Sequence, residues 1–247
     1  MKQLCGRNSM ELIRAEIKRY AHEALTYYPD FIVSIITAAL LFFIMAQINT
    51  QTSTTELTAY IFWVLCTSVL SEASVSISAE KQLGTFRNLL IKPASIIAIL
   101  SARTVSWFLL NLIKIVLIVS ILFFFYPHSF LLRPMVFPVL LISAAGVYGF
   151  ALILAALTLL YTKTASFESI ISYVLLLISG TFFEAPDFFA YSNPLSMGIT
   201  SVKLIARGTF SAWYFFLLAG ESIVCIAIGI IVFMLAAKNS DKISMSY

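Results

Sequence analysis

Charged side chains are scarce in this sequence. Asp, Glu, Lys and Arg make up 11% of its 247 residues, while 60% are hydrophobic. A soluble domain carries about 25% charged and about 45–50% apolar residues, so a water-soluble fold is excluded and the bilayer is the expected solvent. Cysteine is almost as rare. Cys66 and Cys225 fall inside apolar runs and Cys5 lies near the N-terminus, which makes neither a disulfide framework nor a metal-ligand spacing. They read as small buried hydrophobes. Histidine is limited to His22 and His128, and Thr26 stands where a zincin helix beginning at His22-Glu23 needs its second histidine.

Other absences exclude function classes. No G-x-x-x-x-G-K-[ST] phosphate loop occurs; the segment around Gly84 lacks the second glycine and the lysine. No G-x-S-x-G nucleophile elbow occurs. Asp30, Asp187 and Asp241 lie near the ends of apolar runs, so no pair of intramembrane aspartates is available for proteolysis. The chain is therefore expected to hold no catalytic residues, metal or cofactor. The net charge of +4 suits basic cytoplasmic loops and makes no case for nucleic acid.

Long apolar runs are abundant. A spanning helix needs about 20 mostly apolar residues, and six stretches qualify: 31–48, 57–79, 104–126, 138–161, 165–183 and 212–237. The expected class is an all-α integral membrane protein of six transmembrane helices. Its parts are an N-terminal segment (1–30), one membrane domain (31–237) and a tail (238–247). The first thirty residues are polar and mixed in charge, so the first apolar run, from Phe31, is expected to stay as an anchor and not as a cleaved signal. With the N-terminus inside, the inner segments hold twelve Lys and Arg and the outer ones only Arg133, Lys203 and Arg207. That bias places both termini in the cytoplasm.

Two stretches outside the runs are patterned. Ile13, Ile17, Tyr20 and Ala24 recur at helical spacing, with Glu11, Arg14, Glu16, Lys18, Arg19 and Glu23 assigned to other faces. This predicts an amphipathic helix at the cytoplasmic interface, ended before the first span by Pro29; the alternative is a plain soluble leader. Nearer the C-terminus, Asn193-Pro194 predicts a capped helix start and Gly208 its stop. Leu195, Ile199, Val202 and Ile205 share one face of it, so this outer helix is expected to be interfacial or re-entrant.

The loop after the second run reads Glu80-Lys81-Gln82-Leu83-Gly84-Thr85-Phe86-Arg87-Asn88-Leu89-Leu90-Ile91-Lys92-Pro93. Leu83, Phe86 and Leu90 fall on one helical face, with Lys81, Gln82 and Arg87 as exposed polar candidates and Pro93 as the end. A short helix with such a face needs a lipid surface or a partner's groove to cover it. This run resembles the coupling signature of the transmembrane permease subunits of type-2 ATP-binding-cassette (ABC) exporters, with Phe86 where that family often has Leu. Six spans, the amphipathic N-terminal helix as interface helix, and Asn193-Pro194-Leu195 with Arg207 in the last outer loop fit as well.

The resemblance implies a bacterial plasma (inner) membrane permease that couples ATP hydrolysis in a separate ATPase to export. Glu80, Lys81, Gly84, Thr85, Phe86, Arg87 and Leu90 would lie in the ATPase-coupling element. Two ATPase subunits, with ATP and Mg, and a second permease copy or a related permease would complete the complex. An amphipathic cargo is implied, a drug or antimicrobial peptide foremost and a lipid-linked glycan otherwise.

Polar residues inside the runs are the remaining lead. Thr67, Ser71, Ser74 and Ser78 are spaced 4, 3 and 4 and make a narrow stripe. They line a path or join helices by hydrogen bonds. Glu72, Lys114 and Glu221 each carry an insertion cost, about 2.5–3.5 kcal/mol for a charge such as Lys at mid-span. They are expected to face protein or water, as pathway residues or as ion pairs, with Lys114 free to pair with either Glu. Glu56 and Arg133 read as exposed loop charges. Phe123-Phe124-Phe125, Trp107, Trp213 and Tyr214 read as lipid-facing or interfacial anchors.

Two rival classes stay open on these residues. A secondary transporter or channel would need an ion-binding constellation or paired inverted repeats, neither of which is visible, and its transport would follow an ion gradient. A non-transporting scaffold or immunity protein would keep its function after joint replacement of Glu80, Gly84 and Phe86.

Overall fold

The computed structural model describes residues 8–48, 55–86, 88, 95–125, 133–161, 165–182, 187–191 and 193–244. All regular structure among them is helical: α1 Asn8–Thr26, α2 Tyr28–Ile48, α3 Glu56–Gln82, α4 Ile96–Phe125, α5 Val136–Leu160, α6 Ala165–Ile178, α7 Asp187–Ala190, α8 Pro194–Arg207 and α9 Ala212–Ser244. The break between α1 and α2 falls at Tyr27, and Pro29 sits in the first turn of α2, where its missing N–H is no loss.

Five of these helices, α2, α3, α4, α5 and α9, are long and apolar enough to cross a membrane. They match the runs expected from 31, 57, 104, 138 and 212, and α4 begins eight residues before its apolar run, at Ile96. The run 165–183 behaves differently. Its described residues are helical from Ala165 to Ile178, and 14 residues rise about 21 Å, less than the about 30 Å of hydrocarbon. The helix gives way at Ser179 and Gly180, the latter with φ 74. Five helices of spanning length thus stand among the described residues where six are expected, with α6 shorter.

The bundle is built around α3 and α5. Both are mostly buried, whereas α2, α4 and α9 keep most of their surface outward. Residues such as Phe124 (83% exposed) and Phe216 show the lipid-type exterior expected for Phe123-Phe124-Phe125 and Trp213. Lipid tails are as apolar as leucine, so apolar burial alone does not drive these helices together; close packing and hydrogen bonds across helices do. The α5–α9 crossing rests on Gly149 and Gly229, whose backbones lie directly on one another. Ser222 Oγ adds a hydrogen bond to the Ile142 carbonyl (3.1 Å), and Tyr60 OH donates to the Ala38 carbonyl of α2 (2.6 Å).

Helix α8 forms as its sequence predicts. Asn193 Oδ1 accepts from Ser196 N at 2.9 Å, Pro194 opens the helix, and Gly208, with φ 73, ends it. Leu195, Ile199, Val202 and Ile205 are all buried, and α8 packs on α3, α5 and α9. Its apolar face is therefore taken up by protein. Arg207 is exposed at the helix end, and the last turn is capped by Arg133, whose Nη1 donates to the Ile205 carbonyl. Arg133 is thus more than a loop charge. Glu56, also expected to be exposed, is buried at the start of α3 (3% exposed).

Candidate functional site

Helix α3 ends in a turn that the sequence dictates. Gly84 has φ 70, a left-handed conformation that costs an ordinary residue about 1–2 kcal/mol. Thr85 N reaches back to the Glu80 carbonyl (2.9 Å) and Gly84 N to the Lys81 carbonyl (3.2 Å), the paired bonds of a Schellman stop. The Glu80 carboxylate folds over this turn and accepts from Thr85 Oγ1 at 2.5 Å.

The other Glu80 oxygen accepts from Arg103 Nη2 at 2.7 Å. Arg103 belongs to α4 and is 3% exposed. Its Nη1 donates to Ser76 Oγ of α3 (2.5 Å) and its Nε to Glu16 of α1 (3.4 Å). Arg19 Nε lies 3.1 Å from the second Glu16 oxygen, so two carboxylates and two guanidinium groups balance. A buried charge is tolerated only with such pairing. One cation thereby joins the N-terminal helix, α3, α4 and the turn after α3.

A second tie lies beside the first. Tyr20 OH of α1 donates to the Glu72 carboxylate of α3, and the Tyr20 ring packs at 5.4 Å against Trp107 of α4. Burial first, and the Glu72 charge second, push the Tyr20 phenol well above its ordinary value. Tyr20→Phe removes the donor to Glu72 and should destabilise the protein by about 1–3 kcal/mol. The fold favours the protonated phenol, so its contribution is complete below the free tyrosine pKa of about 10 and declines as pH rises past it. Unfolding midpoints of the two proteins should therefore converge at high alkalinity.

A third tie fixes α5. Lys81 Nζ donates to the Leu159 (2.7 Å) and Thr158 (3.2 Å) carbonyls at its C-terminal end, where a cation satisfies unpaired carbonyls and the helix dipole. Ser74 Oγ meets Thr158 Oγ1 at 2.9 Å deeper in the bundle. The adjoining ends of α1, α3, α4 and α5 are thus cross-linked by polar side chains.

Two cavities open beside this node, of about 520 and 550 Å³. They share Asp30, Ser34, Trp107, Asn111 and Lys114, so they adjoin along α2. The first is bounded by Tyr20 and Glu23 of α1; the second runs on to Trp63, Ser71 and Glu168. The space exists because α2 makes few contacts with the rest of the bundle.

A profile of the ABC-2 type transporter family matches residues 8–206. The chain belongs to the ABC-2 type transporter family. It is a transmembrane permease component of an ABC transporter and a multi-pass membrane protein. No curated protein matches the chain.

Several sequence-derived positions need revision in this permease. Glu16 faces inward with Ile13, Ile17 and Tyr20, since it lies one turn from both Ile13 and Tyr20 on the same arc. Lys81 points to α5 and is not an exposed polar group of the turn. Leu83 and Phe86 do not share a face: Leu83 is 76% exposed, whereas Phe86 packs back on the core. Phe86 and Asn88 have helical backbone; Arg87 and Leu90 lie outside the described residues. Trp107 is a cavity wall and Tyr20 partner, not a lipid anchor.

The polar stripe divides. Thr67 and Ser71 line the second cavity, and their hydroxyls bond within α3, to the Trp63 (2.7 Å) and Ser68 (3.2 Å) carbonyls. Ser74 and Ser78 are buried, Ser74 against α5 and Ser78 under Gln82 Nε2 (3.1 Å). Lys114 pairs with neither Glu72 nor Glu221: Glu72 is held by Tyr20, and Lys114 lines both cavities without an ion pair among the described residues. Glu221 is half-buried on α9, with one oxygen lacking a hydrogen-bond partner among the described residues.

Arg103 and Glu16 are the residues that sequence reasoning passes over, because each sits at the border of an apolar pattern and reads as solvated. The available signal was that Glu16 occupies the apolar arc of α1 and that Arg103 stands flush against the run of α4.

Proposed function

We propose that this permease passes the motion of a separate ABC ATPase to the membrane helices and exports an amphipathic substrate. The observation that carries the reading is the Arg103 node, which joins the turn of residues 80–85 to α1, α3 and α4 through Glu80 and Glu16. A push on that turn reaches three helices through short, charged contacts, and Lys81 carries it to α5. Two ATPase subunits, holding ATP and Mg, would dock at the turn, and a second permease copy or a related permease would complete the pathway. The charge bias of the loops supports cytoplasmic termini in a bacterial plasma membrane. Short α6, followed by α7 and α8, would make the remaining crossing together with a re-entrant return. A drug or antimicrobial peptide is the favoured cargo.

Leu83 is the docking contact of choice, because Glu80, Lys81 and Phe86 are engaged inside the permease. Purification after mild solubilisation should recover an ABC ATPase, identified by mass spectrometry. Leu83→Ser should reduce that recovery about tenfold, by loss of one apolar anchor, without shifting the unfolding midpoint of the permease. ATPase recovery that ignores Leu83, or vesicle transport driven by an ion gradient without ATP, overturns the reading.

A further inference from the structure

The space along α2, made of these two adjoining cavities, has a charge pattern that the coupling role does not explain. Glu168, at the start of α6, is 9% exposed, and its Oε2 has no hydrogen-bond partner among the described residues. Buried polar atoms are nearly always paired, and Glu168 lines the second cavity. Asp30 stands in both cavities and Glu23 in the first, so three carboxylates face this space against one cation, Lys114. Trp63, Trp107 and Tyr173 add aromatic faces. Carboxylates beside π faces recognise a cation that carries apolar bulk, since ring faces attract positive charge most strongly when it is poorly hydrated. Each part, of about 520 and 550 Å³, lies within the about 300–1,000 Å³ typical of small-molecule sites.

We propose that this cavity binds a lipophilic cation, with Glu168 as its counter-ion and Lys114 as a built-in competitor. The inference rests on the permease reading and names its substrate class. Glu168 is buried whereas Asp30 and Glu23 are exposed, so an incoming cation meets those two before it reaches Glu168. Lys114 repels the ligand and lowers its affinity, which keeps occupancy reversible, as a transported substrate requires.

Tetraphenylphosphonium and tetraphenylborate test this directly, being alike in size and shape and opposite in charge. Binding is measured by calorimetry and tryptophan fluorescence on the purified full chain in lipid nanodiscs, taking the saturable component. The phosphonium should bind and the borate should not. Glu168→Gln should weaken phosphonium binding about tenfold, and Lys114→Gln should strengthen it about threefold. Preference for the borate, abolished by Lys114→Gln, makes the cavity an anion site and overturns the proposal. Equal phosphonium binding by wild type and Glu168→Gln, or no saturable binding, also overturns it. Unfolding midpoints verify the fold of each variant, and Asp30→Asn, at an exposed position, should weaken binding where Glu168→Gln does not fold. ATPase recovery is scored in parallel: its persistence without phosphonium binding removes only the substrate class, and its loss with binding intact removes only the coupling reading.

Discussion

Arg103→Gln is expected to destabilise the permease by about 3–5 kcal/mol, the usual penalty for removing one partner of a buried ion pair, and to abolish ATP-driven transport. The guanidinium is 3% exposed and contacts Glu80, Ser76 and Glu16. Its loss leaves two carboxylates near one another, with Arg19 alone to offset them at the edge. Arg103→Lys should recover only part of the loss, because one ammonium cannot reproduce the guanidinium fork that reaches three partners. The double variant Arg103→Gln, Glu80→Gln should regain much of the stability, since it no longer buries an uncompensated Glu80 charge.

That double variant separates folding from coupling. Its unfolding midpoint should approach that of the wild type, while transport in vesicles stays low because the turn no longer pulls on α4. Full transport in a folded Arg103→Gln protein would remove the node from the mechanism. Recovery of both stability and transport in the double variant would reduce it to a structural ion pair.

Gly149→Val is expected to prevent stable assembly of the bundle, and Gly149→Ala to damage it less. A Cβ at position 149 would fall on the Cys225 carbonyl group and 2.7 Å from Ile226 N, whereas comfortable heavy-atom contacts lie at about 3.5–4.0 Å. The obstruction is backbone, so no rotamer change can relieve it. The helices must separate, at the upper end of the about 1–3 kcal/mol usual for overpacking or beyond it. A methyl group at Gly220, on the same helix as Gly229, would meet nothing within 4 Å, so Gly220→Ala serves as the control and should leave folded yield and unfolding midpoint unchanged. A Gly149→Val protein with wild-type yield and midpoint would show that the α5–α9 contact is not close-packed.

Helix α8 was legible in detail because each signal is local. Asn193 caps its own third following residue, Pro194 needs no donor, and Gly208 supplies its own left-handed turn. The same holds for the long apolar runs. Their residues decide the backbone state within one or two turns, without reference to the rest of the chain. The Gly84 stop is just as local, yet the reading of 80–93 as one helix ended at Pro93 runs past it. Helix α6 was harder, since an apolar run of spanning length ends early where Gly180 turns the chain.

The polar positions were harder still. Glu72 and Lys114 invite pairing on charge alone, yet Glu72 takes Tyr20, 52 residues away. Lys81 reads as a surface cation, yet it reaches the carbonyl of Leu159, 78 residues on. Partners at such distances follow from which helices become neighbours, and periodicity along one helix carries no record of that.

The sequence by itself determined that this protein is membrane-embedded and helical, resembles an ABC permease and lacks its own phosphate loop, where its long apolar helices run, and where α8 starts and stops. Only the tertiary structure decided that Arg103 gathers Glu16, Ser76 and Glu80, that the stripe of α3 divides between a cavity and a helix contact, and that Glu168, with an oxygen unpartnered among the described residues, lines the cavity that Lys114 shares. Hydropathy and capping are properties of neighbouring residues, whereas the pairing of buried charges is a property of the packed bundle.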